Sequence, residues 1–578
     1  MTLRLGLHAA LFSLAPLVQA QAPADPSAEW IRAHAIPFST SEAGHGFDDL
    51  AGLEKVIGNA RIVALGEPTH GTREAFQMKH RLLEYLVERH GFSIFSIEAN
   101  MPEADALDAY VNGGEGDPRQ LIAEYGWTGD TEEFLAMVEW MRAWNAAHPE
   151  RPRLRYTGID MQTPTVAARI AAQFLRKHAP HMEKSAVLLD DLPARGEVDF
   201  TSATGSFPVK VARGKELVVS VWIRTELPIG WAGLWWRCDT PRGTGAFDNM
   251  QSRGITGTRE WRRYETRLTI DDDVQNISFG CVVQGEGTAW FDDIELTLDG
   301  EPFVDPTFGF GFEEGTGSFI VASRVPLGAG CTVRSVDKSP HGGERCLEIR
   351  RKPEPDTGLV KDAEGVLADM LAHRDEFARK TSAREADWAI QNARVVAQWA
   401  RMTCAQYPSR LKSGVRDESM AENVAWILEQ NPGSRAVLWA HNGHVSRAEF
   451  QGVIPMGGHL ERRFPDQMVV FGFGTGRGTY TALAPRGIFD VRSDNPLRPP
   501  PEDSIESYLA SARLPRFLLD IRAARDAPAA SWATVPHPMR QIGARATLDQ
   551  QFFPCVVRDA FDVLVWQAET TASVPIRR

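Results

Sequence analysis

The sequence predicts an α/β protein: a largely parallel central sheet flanked by helices, with an inserted all-β, jelly-roll-like sandwich. Three observations carry that prediction. Short apolar runs alternate with helical patterns over residues 27–186. After about residue 186 the texture changes to short alternating strands parted by Gly, Asp and Pro. Helical texture then returns near residue 353. Strand–helix alternation argues for parallel strands covered by helices, and evenly spaced short strands argue for a sandwich. The 578 residues exceed one ordinary domain, and 43% hydrophobic with 24% charged content is that of a folded globular protein. The expected organisation is a signal peptide over 1–20, an α/β unit in two parts, 27–186 and 353–575, and the inserted sandwich over 187–352.

At the N-terminus, "MTLRLGLHAALFSLAPLVQAQAPADPSAEW" places Arg4 before an apolar stretch running to Val18. Small residues follow at Val18 and Ala20, or Ala20 and Ala22, the pattern of a signal peptidase site. The stretch is short for a bilayer span, so an exported protein, periplasmic or secreted and without stable membrane insertion, is expected. The net charge of −13 offers no general attraction to nucleic acid, which is not an expected partner.

"RIVALGE" reads as a buried strand. "REAFQMKHRLLEYLVERHGF" reads as a helix, its apolar positions three and four apart, with Thr72 as N-cap and Glu74 in the first turn. "FSIFSIEAN" is a second strand, "TEEFLAMVEWMRAWNAAH" a second helix, and "LRYTGIDMQ" a third strand before a helix near 165–178. The segments "KELVVSVWIRTEL", "AGLWWRCDT", "EWRRYETRLTI" and "NISFGCVVQGEGTAWFDDIELTLDG" supply the sandwich. Helices "READWAIQNARVVAQWARM" and "ESMAENVAWILEQN" precede the strands "RAVLWAHNGH" and "MVVFGFG". "NPLRPPPEDS", 495–504, reads as a surface loop. Cys238, Cys281, Cys331 and Cys346 cluster in the middle region, which leaves room there for one or two disulfides. The absence of CxxC spacing argues against a structural zinc site.

Four strands each end in residues able to do chemistry: Glu67 and His70; Glu98; Asp160; and His441, Asn442 and His444. In parallel α/β folds the carboxyl ends of the strands share one edge, where ligands bind. If the four strands are neighbours, these groups converge on a single cleft. Taken singly, each could be an ordinary cap or a turn residue bonded to backbone; the coincidence across four strands favours function.

The motifs "LGEPTHGTREAF", "FSIEAN", "YTGIDMQ", "RDESMAENVAWIL" and "LWAHNGHV" together resemble the erythromycin esterase family, with order and spacing agreeing across nearly all of 60–185 and 385–475. The resemblance implies an α/β core with added helices. It also implies a hydrolase that opens macrolide lactones by metal-independent, histidine-activated water attack, a chemistry met in antibiotic resistance, although family members occur well outside that setting. Carried over position by position, His70 in "GEPTHG" is the general base, and Glu67 and Glu98 orient and charge the site. His441 in "AHNGH" binds or protonates the reacting carbonyl oxygen, with His444 beside it. Asp160 in "GIDMQ" matches a further family position, and Arg416 in "RDESMAEN" binds an anion or the oxyanion. The stretch of about 187–352 departs from the compact family pattern.

The residue chemistry supports that reading independently. Hydrolysing an ester with water needs a base near neutral pKa, which His supplies, and a carboxylate fixes its tautomer. His441, Arg416 or Asn442 could face the oxyanion of the tetrahedral intermediate. No G-x-S-x-G elbow marks a serine route. The expected partner is a small-molecule ester, with a macrolide as one candidate, and no cofactor is expected. Two other readings stay open: a divalent metal held by the same Glu, Asp and His set, with metal-bound hydroxide replacing the His70 base, and a non-catalytic exported carbohydrate- or envelope-binding protein. Trp127, in the loop "YGWTGD", either lines the substrate cleft or packs in the core.

In the sandwich, "SVWIRTEL", "WRRYETRL" and "GEGTAWFDDIEL" resemble strands of carbohydrate-binding jelly-roll modules. The "FGFGFEEGTG" and "SPHGGERCLEI" segments follow them where such modules have a matching start, so the arrangement reads as circularly permuted. Trp222, Trp231, Trp235, Trp236, Trp261 and Trp290 suggest a carbohydrate ligand, but alternation turns half of any strand inward and Trp is a common core filler. Asp292 and Asp293 read as turn caps, with calcium as the alternative.

Overall fold

The computed structural model describes residues 25–123, 128–195, 200–241, 243–305, 308–323, 331–352, 357–405, 409–450, 452–483, 491–547 and 550–576. The expected signal peptide and Trp127 lie outside these described residues.

The central sheet runs in the order Ala35–Pro37, Arg516–Asp520, Val563–Thr570, Met468–Leu483, Ile62–Leu65, Ala436–Trp439, Ile94–Asn100 and Arg155–Asp160, with Val491–Pro496 pairing off Met468–Leu483. From Val563–Thr570 to Arg155–Asp160 every pairing along this path is parallel. The two outer pairings at the other edge are antiparallel. Strands of this kind must be apolar on both faces, and "IVAL" at 62–65 is buried throughout. Alternate residues feed two cores. Ile62, Ala64, Leu438 and Val470 join the helices Thr165–His178, Ala383–Cys404 and Ser409–Gln430 on one face. Val63, Leu65, Val437 and Phe471 join Arg73–His90 and Glu132–Ala147 on the other. The four motif-bearing strands are therefore consecutive, because Ala436–Trp439 inserts between Ile62–Leu65 and Ile94–Asn100.

The helix Arg73–His90 begins after Thr72, which has extended backbone but makes no side-chain cap bond. Its hydroxyl faces Thr69 Oγ1 at 3.4 Å instead. Glu74 in the first turn accepts from the Thr571 N–H at 2.7 Å, tying the helix to the C-terminal strand. Gly91 closes the helix in the left-handed region at φ 67°, a conformation that favours glycine. Of the proline-rich stretch 495–504, Asn495 and Pro496 end the strand Val491–Pro496 rather than a loop.

The described strands between Phe200 and Arg351 form a separate, wholly antiparallel sheet. Its long strand Glu216–Thr240 buries odd positions first (Leu217, Val219, Val221, Ile223) and even positions later (Ala232, Leu234, Trp236, Cys238). The parity switch is the work of a bulge between Glu226 and Ile229, since one extra residue turns every later side chain to the other face. Cys238, Cys281, Cys331 and Cys346 are free thiols buried as small apolar residues, so the middle-region disulfides allowed by the sequence do not form. Of the six tryptophans, Trp231, Trp236 and Trp290 are core, while Trp222, Trp235 and Trp261 are partly exposed. Asp292 accepts from the N–H groups of Asp293, His341 and Gly342, which is the capping role.

Candidate active site

Two clusters of buried charge meet at the carboxyl edge of the sheet. The first follows the strand Ile62–Leu65. Gly66 and Gly71 bracket the loop that carries Glu67 and His70, and both must be glycine for lack of room. A Cβ on Gly66 would strike the Asn442 amide, and one on Gly71 would strike the Thr481 carbonyl. The loop is pinned on its far side by Ile542 N–H donating to the Pro68 carbonyl at 2.8 Å and Ser573 N–H to that of Gly71 at 2.9 Å.

Glu67 is 2% exposed. Its Oε1 accepts from His70 Nδ1 at 2.7 Å, and its Oε2 accepts from Lys79 Nζ at 2.6 Å and from the Trp439 indole N–H at 2.9 Å. Burial pushes the Glu67 carboxyl up, but the Lys79 charge and the His70 bond outweigh it and hold the group below its usual range. An ionised Glu67 requires the proton of His70 on Nδ1, which leaves the lone pair on Nε2. Lys79 is wholly buried and stands over the Trp439 ring at 4.3 Å; burial draws its ammonium down to about 8.

The second cluster centres on Arg416. Its Nη2 donates to Glu98 Oε1 at 2.8 Å and to Asp160 Oδ2 at 2.6 Å, and its Nε donates to Asp160 at 3.1 Å. His444 lies against it, with Nδ1 on Asp417 Oδ1 at 2.8 Å and Nε2 at 3.3 Å from Glu98 Oε1. Burial disfavours charge on His444, yet Glu98 and Asp417 raise it to about 10. The 3.1 Å approach of Arg416 Nη1 to the same Nε2 would suit a neutral ring. Three carboxylates around two cations decide for the protonated form. Burial raises the Glu98 carboxyl, and the charges of His444 and Arg416 reverse this and hold it well below the usual range. The register shift between Ile97 and Asn100 turns the end of that strand, where Glu98 sits, toward the cluster.

His441 joins the clusters. Its backbone N–H donates to Glu98 Oε2 at 2.9 Å, and its ring centre is 5.1 Å from that of His70. Burial pulls it down to about 3, so the ring is neutral. Nε2 donates to the Ile542 carbonyl at 3.1 Å and Nδ1 accepts from Gly443 N–H at 3.2 Å.

The structure thus brings Glu67, His70, Glu98, Asp160, Arg416, His441 and His444 together. The Asn442 amide bridges the backbone of Phe473, donating to its carbonyl at 2.8 Å and accepting from its N–H at 3.0 Å. That side chain is fully buried and committed to the strand Met468–Leu483. Arg416 likewise directs its donors to Asp160 and Glu98, so it buttresses the site internally. Sequence reasoning missed Lys79, Trp439 and Asp417. The signal for Lys79 was a cation in the apolar stripe of its helix, between Phe76 and Leu83. Lys79 and Arg416 also bear on metal binding: each carboxylate of the two clusters that a dication would need already faces a fixed cation.

Fold and site define a doubly covered α/β protein with a carboxylate-anchored histidine at the carboxyl edge of its sheet. The chain belongs to the erythromycin esterase family, whose sequence pattern matches residues 87–189 and 331–570. The unmatched middle holds most of the antiparallel sheet. The chain is 30% identical over 135 residues to the erythromycin esterase type II of Escherichia coli, covering 23% of this chain and 31% of that one; the match thus spans about a third of the relative's length. A crystal structure of a protein from Bacillus cereus superposes with a TM-score of 0.62 at 19% identity, over 95% of this chain and 98% of that one. An erythromycin esterase mutant in its open conformation superposes with a TM-score of 0.53 at 14% identity, over 92% and 96%. Likeness at these identities speaks for the fold alone.

Proposed function

We propose that the protein hydrolyses an ester, with His70 Nε2 taking the proton of the attacking water. The observation that carries this reading is the 2.7 Å bond from His70 Nδ1 to the buried, ionised Glu67, which sets the tautomer and aligns the ring. As the water attacks, His70 becomes imidazolium and Glu67 stabilises it; the proton then passes to the departing alkoxide. His441 is a neutral donor whose ring lies 5.1 Å from that of His70, and it serves the carbonyl oxygen by exchanging its Ile542 acceptor for the substrate. The Arg416–His444 pair keeps Glu98 ionised and fixed, and Glu98 in turn holds the His441 backbone. A donor whose backbone is already held when the tetrahedral oxyanion forms needs less reorganisation.

Family membership and the name of the Escherichia coli relative favour a macrolide lactone as substrate, and the two fixed cations favour chemistry without a metal. The test is mass spectrometry of erythromycin incubated with wild type and with His70→Ala, each with and without EDTA. Addition of one water, lost in the variant and indifferent to EDTA, is the expected result. Loss under EDTA that added metal restores would replace the histidine base by a metal-bound hydroxide. An exported location belongs to the same proposal and is tested by sequencing the mature N-terminus from a secreting host, with cleavage after residue 20 expected.

A further inference from the structure

A second group of ionisable side chains lies outside both clusters of the candidate active site. His181, in the short 3-10 turn Pro180–Met182, faces His373 and Glu376 at the start of the helix Arg374–Lys380. One ligand atom from each of the three lies within 4.8 Å of the other two. His181 precedes the antiparallel sheet in the chain, and His373 and Glu376 follow it. The two flanks already touch: Phe174 meets Phe377 edge-on at 5.3 Å, and Lys380 Nζ donates to the His178 carbonyl at 3.1 Å.

We propose that His181, His373 and Glu376 form a structural site for a borderline transition dication of the Zn2+ type, which clasps the two flanks of the insertion together. Two imidazoles and a carboxylate are a donor set suited to such an ion, with water completing a four-coordinate shell. The orientation of His373 is the second observation. Its Nδ1 donates to the Asp369 carbonyl at 2.8 Å, which leaves the lone pair on Nε2, the arrangement that prepares a histidine for a metal. The His181 and His373 rings are 5.5 Å apart and tilted by 56°, and His181 Nε2 is 3.9 Å from Glu376 Oε2. Donors around zinc stand roughly 3.3 Å apart, given bonds of about 2.0 Å, so modest rotations close the site. His181 is about half exposed and free to make that rotation. Lys380 holds the other oxygen, Glu376 Oε1, at 2.7 Å and leaves Oε2 for the ion.

The experiment uses the full-length protein, stripped with chelator and desalted. Co2+ titration reads the visible absorption of a low-coordinate site, and Zn2+ titration reads the melting temperature. One equivalent is expected to bind, with a rise of a few degrees in Tm. His181→Ala, His373→Ala and Glu376→Gln are each expected to weaken binding by about 10-fold or more, an effect of the size seen when metal-site residues are removed. Glu376→Gln keeps the helix start intact should an alanine variant fold poorly. His70→Ala is expected to bind Zn2+ like wild type. Absence of both signals in wild type would overturn the proposal. So would unchanged affinity in the His181→Ala, His373→Ala double variant, which would place the ion elsewhere.

Discussion

Replacing Lys79 by Met tests the electrostatics beneath the proposed base. Met fills nearly the same volume against Trp439 and Phe473 but leaves Glu67 without its ammonium. At 2.6 Å the pair attracts by about 6 kcal/mol at an effective dielectric of 20. Desolvation of both groups cancels much of that, and removing one partner of such a buried pair leaves a net loss of ~3–5 kcal/mol. Glu67 has one way to limit the loss. Burial is the largest influence on its carboxyl, and with Lys79 gone that influence is unopposed except by His70 and Trp439. Its pKa is therefore expected to rise above the usual carboxylate range, and a protonated Glu67 no longer fixes the His70 tautomer. The assay is kcat/KM on an activated ester from pH 5 to 9, beside urea unfolding of the same samples. The variant should lose about 10-fold or more at pH 6, within the range of general-base effects, and recover as pH rises. An acid limb identical to wild type, together with an unchanged unfolding midpoint, would refute the reasoning.

Further outcomes follow from the rest of the site. The folded-state pKa of His444, about 10, lies above its ordinary 6.5, so its contribution to stability is whole below pH 6.5 and is lost as pH rises through 10. The urea midpoint of wild type should fall across pH 7–10 by the equivalent of ~2–4 kcal/mol, whereas His444→Gln should start lower and stay flat. Asn442→Ala should cost about 2–4 kcal/mol of stability by orphaning both backbone groups of Phe473, while turnover at low temperature should stay within a few-fold of wild type. Turnover slowed by about 100-fold in that variant would instead mark Asn442 as an oxyanion donor. Gly71→Ala should abolish turnover and lower the melting temperature, because the new Cβ must displace the Thr481 backbone that pins the His70 loop.

Much of the fold was legible because its signals are local. Buried parallel strands such as "IVAL" and "AVLW" are apolar without alternation, and the helices between them carry their apolar stripes in the plain sequence. The change of texture after residue 186 likewise marks a second sheet. The candidate site was legible as a set of strand-end residues for the same reason, since chain direction alone places such ends on one edge once the strands are parallel. The partners of Asn442 were not legible, because an amide beside two histidines looks identical in sequence whether it faces a substrate or a neighbouring backbone. The bulge near Glu226 was equally invisible, as was the burial of four middle-region cysteines as free thiols.

By itself, then, the sequence determined the α/β class, the separate antiparallel sheet and the roster of ionisable groups at the strand ends, because periodicity and residue type are properties of short segments. Only the tertiary structure decided which groups are partners. Lys79 reaches Glu67 across twelve residues, Trp439 reaches it across 372, and Arg416 reaches Asp160 across 256. Charges this buried set one another's protonation through contacts of about 3 Å, and such contacts depend on how the sheet orders its strands. The insertion of Ala436–Trp439 between Ile62–Leu65 and Ile94–Asn100 brings the two clusters together, and no local pattern in the chain announces it.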